Sequence, residues 1–377
     1  MGIAAPGFSY NGPMGPQIRL MVLCAVLAVP ARGAIPSTAT LRGIDVYRCE
    51  TVTPPAAARL LGAKVASYVS HLNQGGGTAL TAAEQLKAEL EADMGRLGDF
   101  AYVGMSVGRT LSASAYEITV TFDVVDAKDA AERMPFSPRP VGQVPDPGGL
   151  LAEAHRYEGL CAVLRAQGDP VLERPDCPAL YCPWVQSTDQ VMEFQSLFQR
   201  EVPVHEAELA RVLAEQAEPR DRAAAAYLLA YSTSASAVVE RLLGAVADPD
   251  GEVRAAALSV LADIAVYRKD VFIDGHRLQP ALDFPTTMDR SKALAVFAGL
   301  AANPRYKTYL ASRVSLRLVR LLHALDPSVR GSAYTVLGMV SDRNYPSGDL
   351  DSWEKWAREQ AVRAPEKTGG SNGTDQR

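Results

Sequence analysis

The stretch DPDGEVRAAALSVL, residues 248–261, decides how this chain is read. Val253, Ala256, Ala257, Val260, Leu261 and Ile264 fall at i, i+3, i+4, i+7, i+8 and i+11, which is one apolar stripe of an α-helix. Its skeleton, an Arg followed three residues later by Ala and then four later by a large apolar residue, occurs at four places. These are Arg222, Ala225, Leu229; Arg254, Ala257, Leu261; Arg290, Ala293, Phe297; and Arg330, Ala333, Leu337. The arginines are 32, 36 and 40 residues apart, intervals that fit stacked two-helix units. The small Ala lets a neighbouring helix approach closely. The register puts Ala257 and Ala333 at helix contacts, Arg254 and Arg330 at helix starts near solvent, and Ser259 on the opposite, exposed side.

Each motif helix has a partner before it. Val238, Val239, Leu242, Leu243 and Val246 form one stripe, and Val314, Leu318, Leu321, Leu322 and Leu325 another. Asp248-Pro249 and Asp326-Pro327 separate partner from motif helix. Proline suits a first helical turn, and the Asp before it can cap that turn through its side-chain oxygen. The strings at 248–261 and 326–337 (DPSVRGSAYTVL) resemble the HEAT-repeat pattern. That resemblance implies an α-solenoid in which Asp and Arg pair along the stack, implicating Asp248, Arg254, Asp326 and Arg330. The copies at Arg222 and Arg290 carry Glu218-Pro219 and Asp289-Arg290 instead.

Outward from this region, 377 residues allow two or three domains, and 47% hydrophobic content suits a packed globular chain. A net charge of −5 with interspersed signs gives no basic footprint for nucleic acid. Leu20 to Pro30, LMVLCAVLAVP, follows Arg19 and precedes the small residues Ala31 and Gly33. This reads as a secretory signal over 1–33, cleaved before Ala34, with Met1 or Met14 as the start. It is too short for an ordinary span, which needs about 20 apolar residues. The mature chain is thus expected to be periplasmic or extracellular, with no integral membrane span. Cys49, Cys161, Cys177 and Cys182 then remain. In an exported chain an even count suggests disulfides, and the local candidate is Cys177 with Cys182; zinc would need two further ligands.

Residues 39–126 read as a small α+β domain. Leu41–Cys49 fits a strand, Ala56–Leu72 and Ala82–Leu97 fit helices, and Phe100–Val107 and Tyr116–Val125 fit strands with a turn at Ser112–Ser114. The last strand alternates Tyr116, Ile118, Val120, Phe122 and Val124 with Glu117, Thr119, Thr121 and Asp123, a pattern with one face buried. The order β-α-α-β-β resembles the POTRA domain of exported and outer-membrane assembly proteins. The resemblance implies partner binding by strand addition at a sheet edge. The Pro- and Gly-rich run 127–149 reads as a semi-rigid linker. Residues 150–202, two helices around a cysteine-proline loop, read as the cap of the repeats, which occupy 203–362. Trp353 and Trp356 share a face in a last helix over Leu350–Val362, and 363–377 reads as a disordered tail.

For chemistry, no dinucleotide, phosphate-loop, zinc-protease or nucleophile-elbow motif is present, and the histidines at 71, 155, 205, 276 and 323 are scattered. No catalytic residue, cofactor or metal ligand is assigned. The insert Tyr267 to Pro285 places Arg268, Asp274, His276 and Arg277 in one candidate interaction loop, or simply around a turn at Asp274-Gly275. The expected fold is multidomain: a small α+β domain followed by an all-α, HEAT-like solenoid. The expected function is an exported, non-enzymatic scaffold for protein partners. Alternatives are a cell-envelope assembly component using the POTRA-like module, or a HEAT-like enzyme such as a lyase.

Overall fold

The structure, a computed structural model, describes residues 38–111, 116–168, 171 and 176–363. The expected signal, the Ser112–Ser114 turn and the tail beyond Arg363 lie outside the described residues.

The α+β unit comprises β1 (Ala39–Val46), α1 (Pro54–Gln74), α2 (Gly76–Gly95), β2 (Phe100–Leu111) and β3 (Tyr116–Asp126). Pro54 and Pro55 start α1, where a missing N–H costs nothing, and Thr53 caps it by accepting from the Ala56 N–H at 3.4 Å. Gly75 and Gly76 turn the chain into α2 with φ of 63° and 78°, a region that side chains with a Cβ avoid. The sheet order is β1-β3-β2, with β1 parallel and β2 antiparallel to β3. Ile118, Val120, Phe122 and Val124 of the central strand pack with Leu61, Val65, Leu90 and Met94 of the two helices in a core of their own. Alternation along β3 leads one to expect the other face in water. Instead Thr119, Thr121, Asp123 and Val125 are also buried, because that face meets the helical region.

The remainder is mostly helical: α3 (Leu150–Gln167), α4 (Asp189–Glu201), α5 (Glu206–Glu215), α6 (Pro219–Leu228), α7 (Ala235–Ala245), α8 (Gly251–Tyr267), α9 (Thr287–Ala301), α10 (Ser315–Leu321), α11 (Pro327–Ser341) and α12 (Leu350–Arg363). The helices bearing the four arginines, α6, α8, α9 and α11, contact one another in chain order, and α7 and α10 lie beside α8 and α11. Ala225, Ala257, Ala293 and Ala333 are all fully buried, as close helix packing requires. Trp353 and Trp356 are buried edge to face at 6.0 Å, and the Trp353 indole N–H donates to the Pro346 carbonyl.

Three local expectations change. Ser259 is 6% exposed and donates to the Ala255 carbonyl at 2.7 Å, so α8 has no solvent side there; α6, α7 and α9 all pack on it. Arg254 is buried rather than near solvent. Asp250, not Asp248, caps α8 by accepting from the Glu252 N–H, because the Asp248 oxygens are used elsewhere; Asp326 does cap α11, accepting from Ser328 and Val329.

The Pro- and Gly-rich segment lies against the helices. Phe136 packs edge to face on Phe284 at 5.0 Å and its ring sits 4.1 Å from the Arg254 guanidinium. Ser137 N–H donates to Ala247, Gly142 N–H to Glu215, and Ala217 N–H back to Gly142. A side chain at Gly142 would meet the Glu215 carbonyl at 2.6 Å, so the close approach needs glycine. The segment runs as a strap from the α+β unit back to α3.

Candidate functional site: a series of buried arginine sockets

Three of the four motif arginines are held alike, two of them bidentate to a carboxylate and the third by one bond to a carboxylate. Arg222 points Nη1 at the carbonyls of Gln216 and Ala217, and gives Nε and Nη2 to the two oxygens of Asp248 at 2.9 and 2.7 Å. Arg254 points Nη1 at the carbonyls of Asp248 and Pro249, and gives Nε and Nη2 to Asp289 at 2.9 and 2.8 Å. In each case the carbonyls are those six and five residues before the arginine, at the mouth of its own helix. The carboxylate comes from the mouth of the next motif helix. The planar fork of the guanidinium matches a carboxylate bidentately while its Nη1 satisfies two backbone carbonyls of the link that precedes the helix.

Arg290 repeats the arrangement with a foreign partner. Its Nη1 donates to the carbonyls of Phe284 and Pro285, again six and five residues before it. Its Nη2 donates to Asp123, in the middle of β3, at 2.7 Å. Both side chains of this pair are 2% exposed. Asp123 also accepts from the Thr287 N–H and hydroxyl, at 3.2 and 3.1 Å, and from the Ser106 hydroxyl. The Arg290 Nε has no hydrogen-bond partner among the described residues, and the guanidinium instead lies 3.7 Å over the Tyr47 ring. Cation–π contact with a desolvated ring offsets part of that unmet bond. The α+β unit therefore supplies the third carboxylate of the series.

Around this joint the two parts interlock. Tyr47 belongs to the helical core, with Arg133 over its ring at 5.3 Å. Arg133 donates to the carbonyls of Val124, Arg48 and Asp283. The Asp283 carboxylate accepts from Arg48 of the α+β unit at 2.7 Å and from Arg317 and Arg320 of α10. Asp45 accepts from the Leu325 N–H at 2.7 Å. Gly108 lies so close to Asp326 that a Cβ there would meet its Oδ2 at 2.0 Å.

Of the residues singled out from sequence, Asp248 and Arg254 both join the series, but not as an ion pair: the Asp248 carboxylate serves Arg222, and Arg254 takes the Asp289 carboxylate and only the backbone carbonyl of Asp248. Asp326 is occupied in capping α11, and Arg330 makes no side-chain hydrogen bond or ion pair with another described residue. Asp289 and Asp123 were not singled out. The only signal for Asp289 is its place one residue before a motif arginine, and nothing in sequence marks Asp123. Cys177 and Cys182 lie at disulfide distance, S–S 2.06 Å, while Cys49 and Cys161 are free thiols. The residues of the insert do not converge. Arg268 pairs with Asp270, Asp274 accepts from the His276 N–H at the start of a short helix, the His276 ring lies 4.5 Å from Tyr309, and Arg277 pairs with Glu240. The Asp274-Gly275 step starts a helical turn, not a link between strands.

Burial raises the hydroxyl pKa of two tyrosines at the joint. Tyr47 is raised chiefly by desolvation; Tyr102 is pushed up to about 12 by burial first and then by the charges of Asp123 and Asp289. A group with a raised folded-state pKa contributes stability that is whole below its unfolded value, near 10, and is lost as pH climbs through the folded value. The joint should therefore weaken between about pH 10 and pH 12. Tyrosinate absorbance rising together with loss of near-ultraviolet dichroism in that window is the expected result. Tyrosine ionisation complete by pH 10 with the fold intact would contradict it.

No family model, curated protein or solved structure matches the chain. Among the described residues no group of three or more His, Cys, Asp or Glu side chains is placed to hold a metal ion, and no helix is long and apolar enough to cross a membrane.

Proposed function

We propose that this protein is an exported, non-enzymatic interaction scaffold: a HEAT-like α-solenoid that carries a POTRA-like α+β module as a fixed attachment. The observation that carries the reading is the recurrence of one socket, with Asp123 of the module filling the place that a following repeat's carboxylate fills elsewhere. Buried ion pairs add little net stability compared with apolar packing, but each enforces one partner and one orientation. Three such pairs in register, the last reaching out of the helices, suit a chain whose task is to hold surfaces in a set geometry. Stacked repeats display extended surfaces for protein partners, and the parallel β1 and antiparallel β2 leave the sheet with two edge strands of the kind that accept an added strand. The β-α-α-β-β order is what favours a second reading, a cell-envelope assembly component.

Export and partner binding are tested together. The full chain, tagged at its C-terminus in the producing cell, is recovered from each cell fraction with whatever it binds. The scaffold reading expects a chain beginning near Ala34, outside the cytosol, with a stoichiometric protein partner; an envelope-assembly role adds that the partner sits in the envelope. An intact N-terminus in the cytosol, or turnover of a substrate by the purified chain, would overturn the reading.

A further inference from the structure

The three arginine sockets leave unexplained a cavity in the helical region. It has a volume of about 330 Å³ and opens between α3, α6 and α8, with the Cys177–Cys182 loop as one wall. Tyr181 from that loop stacks on Tyr227 of α6, ring centroids 5.2 Å apart and planes 27° from parallel. The Leu180 N–H donates to the Ala230 carbonyl at 2.9 Å and ties the loop to the end of α6. The closed loop thus fixes an aromatic wall. Tyr157 and Phe198, edge to face at 5.6 Å, form the inner end, and Ala154, Ala223 and Ala255 leave the space between open.

The rim is charged with both signs. Glu158 and Arg220 face each other there at 3.5 Å. Arg165 and Glu252 also line the cavity, and neither is engaged in an ion pair with another described residue. The charges of Glu158, Arg165 and Glu252 all act on the Tyr227 hydroxyl. A volume of this size, mostly apolar and aromatic with a few polar groups, is what small-molecule sites look like. A scaffold surface for a protein partner has no need of such a recess.

We propose that this cavity is a binding site for a small aromatic zwitterion, the chemical class of a free aromatic α-amino acid. The ring enters beside the Tyr181–Tyr227 pair, where offset aromatic contact favours it. The carboxylate is taken by Arg165, whose fork suits it, and the ammonium by Glu252. The inference is independent of the scaffold reading and survives its failure.

The test is calorimetric titration of the full chain with L-phenylalanine and L-tryptophan, and with phenylacetate, phenethylamine and glycine as partial ligands. The expected result is saturable binding of at least one aromatic amino acid. Each half-ligand should bind about tenfold more weakly or worse, as should the amino acid to Arg165→Gln or Glu252→Gln. Both substituted residues are exposed, so these variants should fold as the parent does. Ala255→Trp, which fills the space, should abolish binding. The proposal is overturned by the absence of saturable binding for every compound, by phenylacetate or phenethylamine binding as tightly as the amino acid, or by binding that both rim variants leave unchanged.

Discussion

Replacing Asp123 with alanine lowers the stability of the folded chain by about 3–5 kcal/mol, the range found when one member of a buried ion pair is removed. Arg290 is then left 2% exposed with only two backbone carbonyls, Thr287 and the Tyr47 ring about it. The loss should fall first on the joint. All three tryptophans, Trp184, Trp353 and Trp356, lie in the helical region, so their fluorescence reports that region while far-ultraviolet dichroism reports the whole. In urea the two signals should coincide in the parent and separate in Asp123→Ala. Unchanged midpoints by both probes would show that the α+β unit is held by something other than this socket.

Arg254→Ala should cost a similar amount, about 3–5 kcal/mol, for a related reason. Arg254 serves Asp289, the carbonyls of Asp248 and Pro249, and the face of Phe136, so its removal strands a fully buried carboxylate and takes the support from the strap. Arg254→Lys should recover little of this. An ammonium cannot make the two parallel bonds to Asp289 while also filling the two carbonyls, and it lacks the planar face that meets Phe136. Denaturation midpoints for the three proteins measure it; a lysine variant as stable as the parent would mean that charge alone, not the fork, matters here.

How much of this was legible in the sequence follows from what periodicity can and cannot report. The stripe around Ala257, the recurrence of Arg and Ala, and the order β-α-α-β-β are local patterns, and they place their elements close to where they lie, except that α2 begins at Gly76, within the glycine run, and not at Ala82. Cys177 and Cys182 were legible because the loop between them is short. Burial of polar residues was not. Arg254 and Ser259 read as solvent-facing because charge and hydroxyl usually are, and only the surrounding helices and the strap remove them from water. Phe136 sits alone among prolines, so composition pointed to a linker, whereas its ring on the Arg254 guanidinium and on Phe284, with backbone bonds to Ala247 and Glu215, lays the segment down. Asp123 is the clearest limit: alternation says which face of β3 is polar, and it is silent on whether that face meets water or an arginine. The cavity beside Tyr181 and Tyr227 joins residues some 46 positions apart, with no motif linking them.

The central claim is that the helical region receives the α+β unit through the same arginine socket that joins its own helices. A double-mutant cycle on Asp123 and Arg290, using Asp123→Ala, Arg290→Met and the pair, measures it most directly. The account predicts a coupling energy of about 0.5–3 kcal/mol, with the double variant more stable than the two separate losses would give. It further predicts that the Asp289 and Arg254 cycle, built the same way, yields coupling of the same sign. Additive losses at Asp123 and Arg290, beside clear coupling at Asp289 and Arg254, would contradict it: the helices would share a socket that the α+β unit does not use.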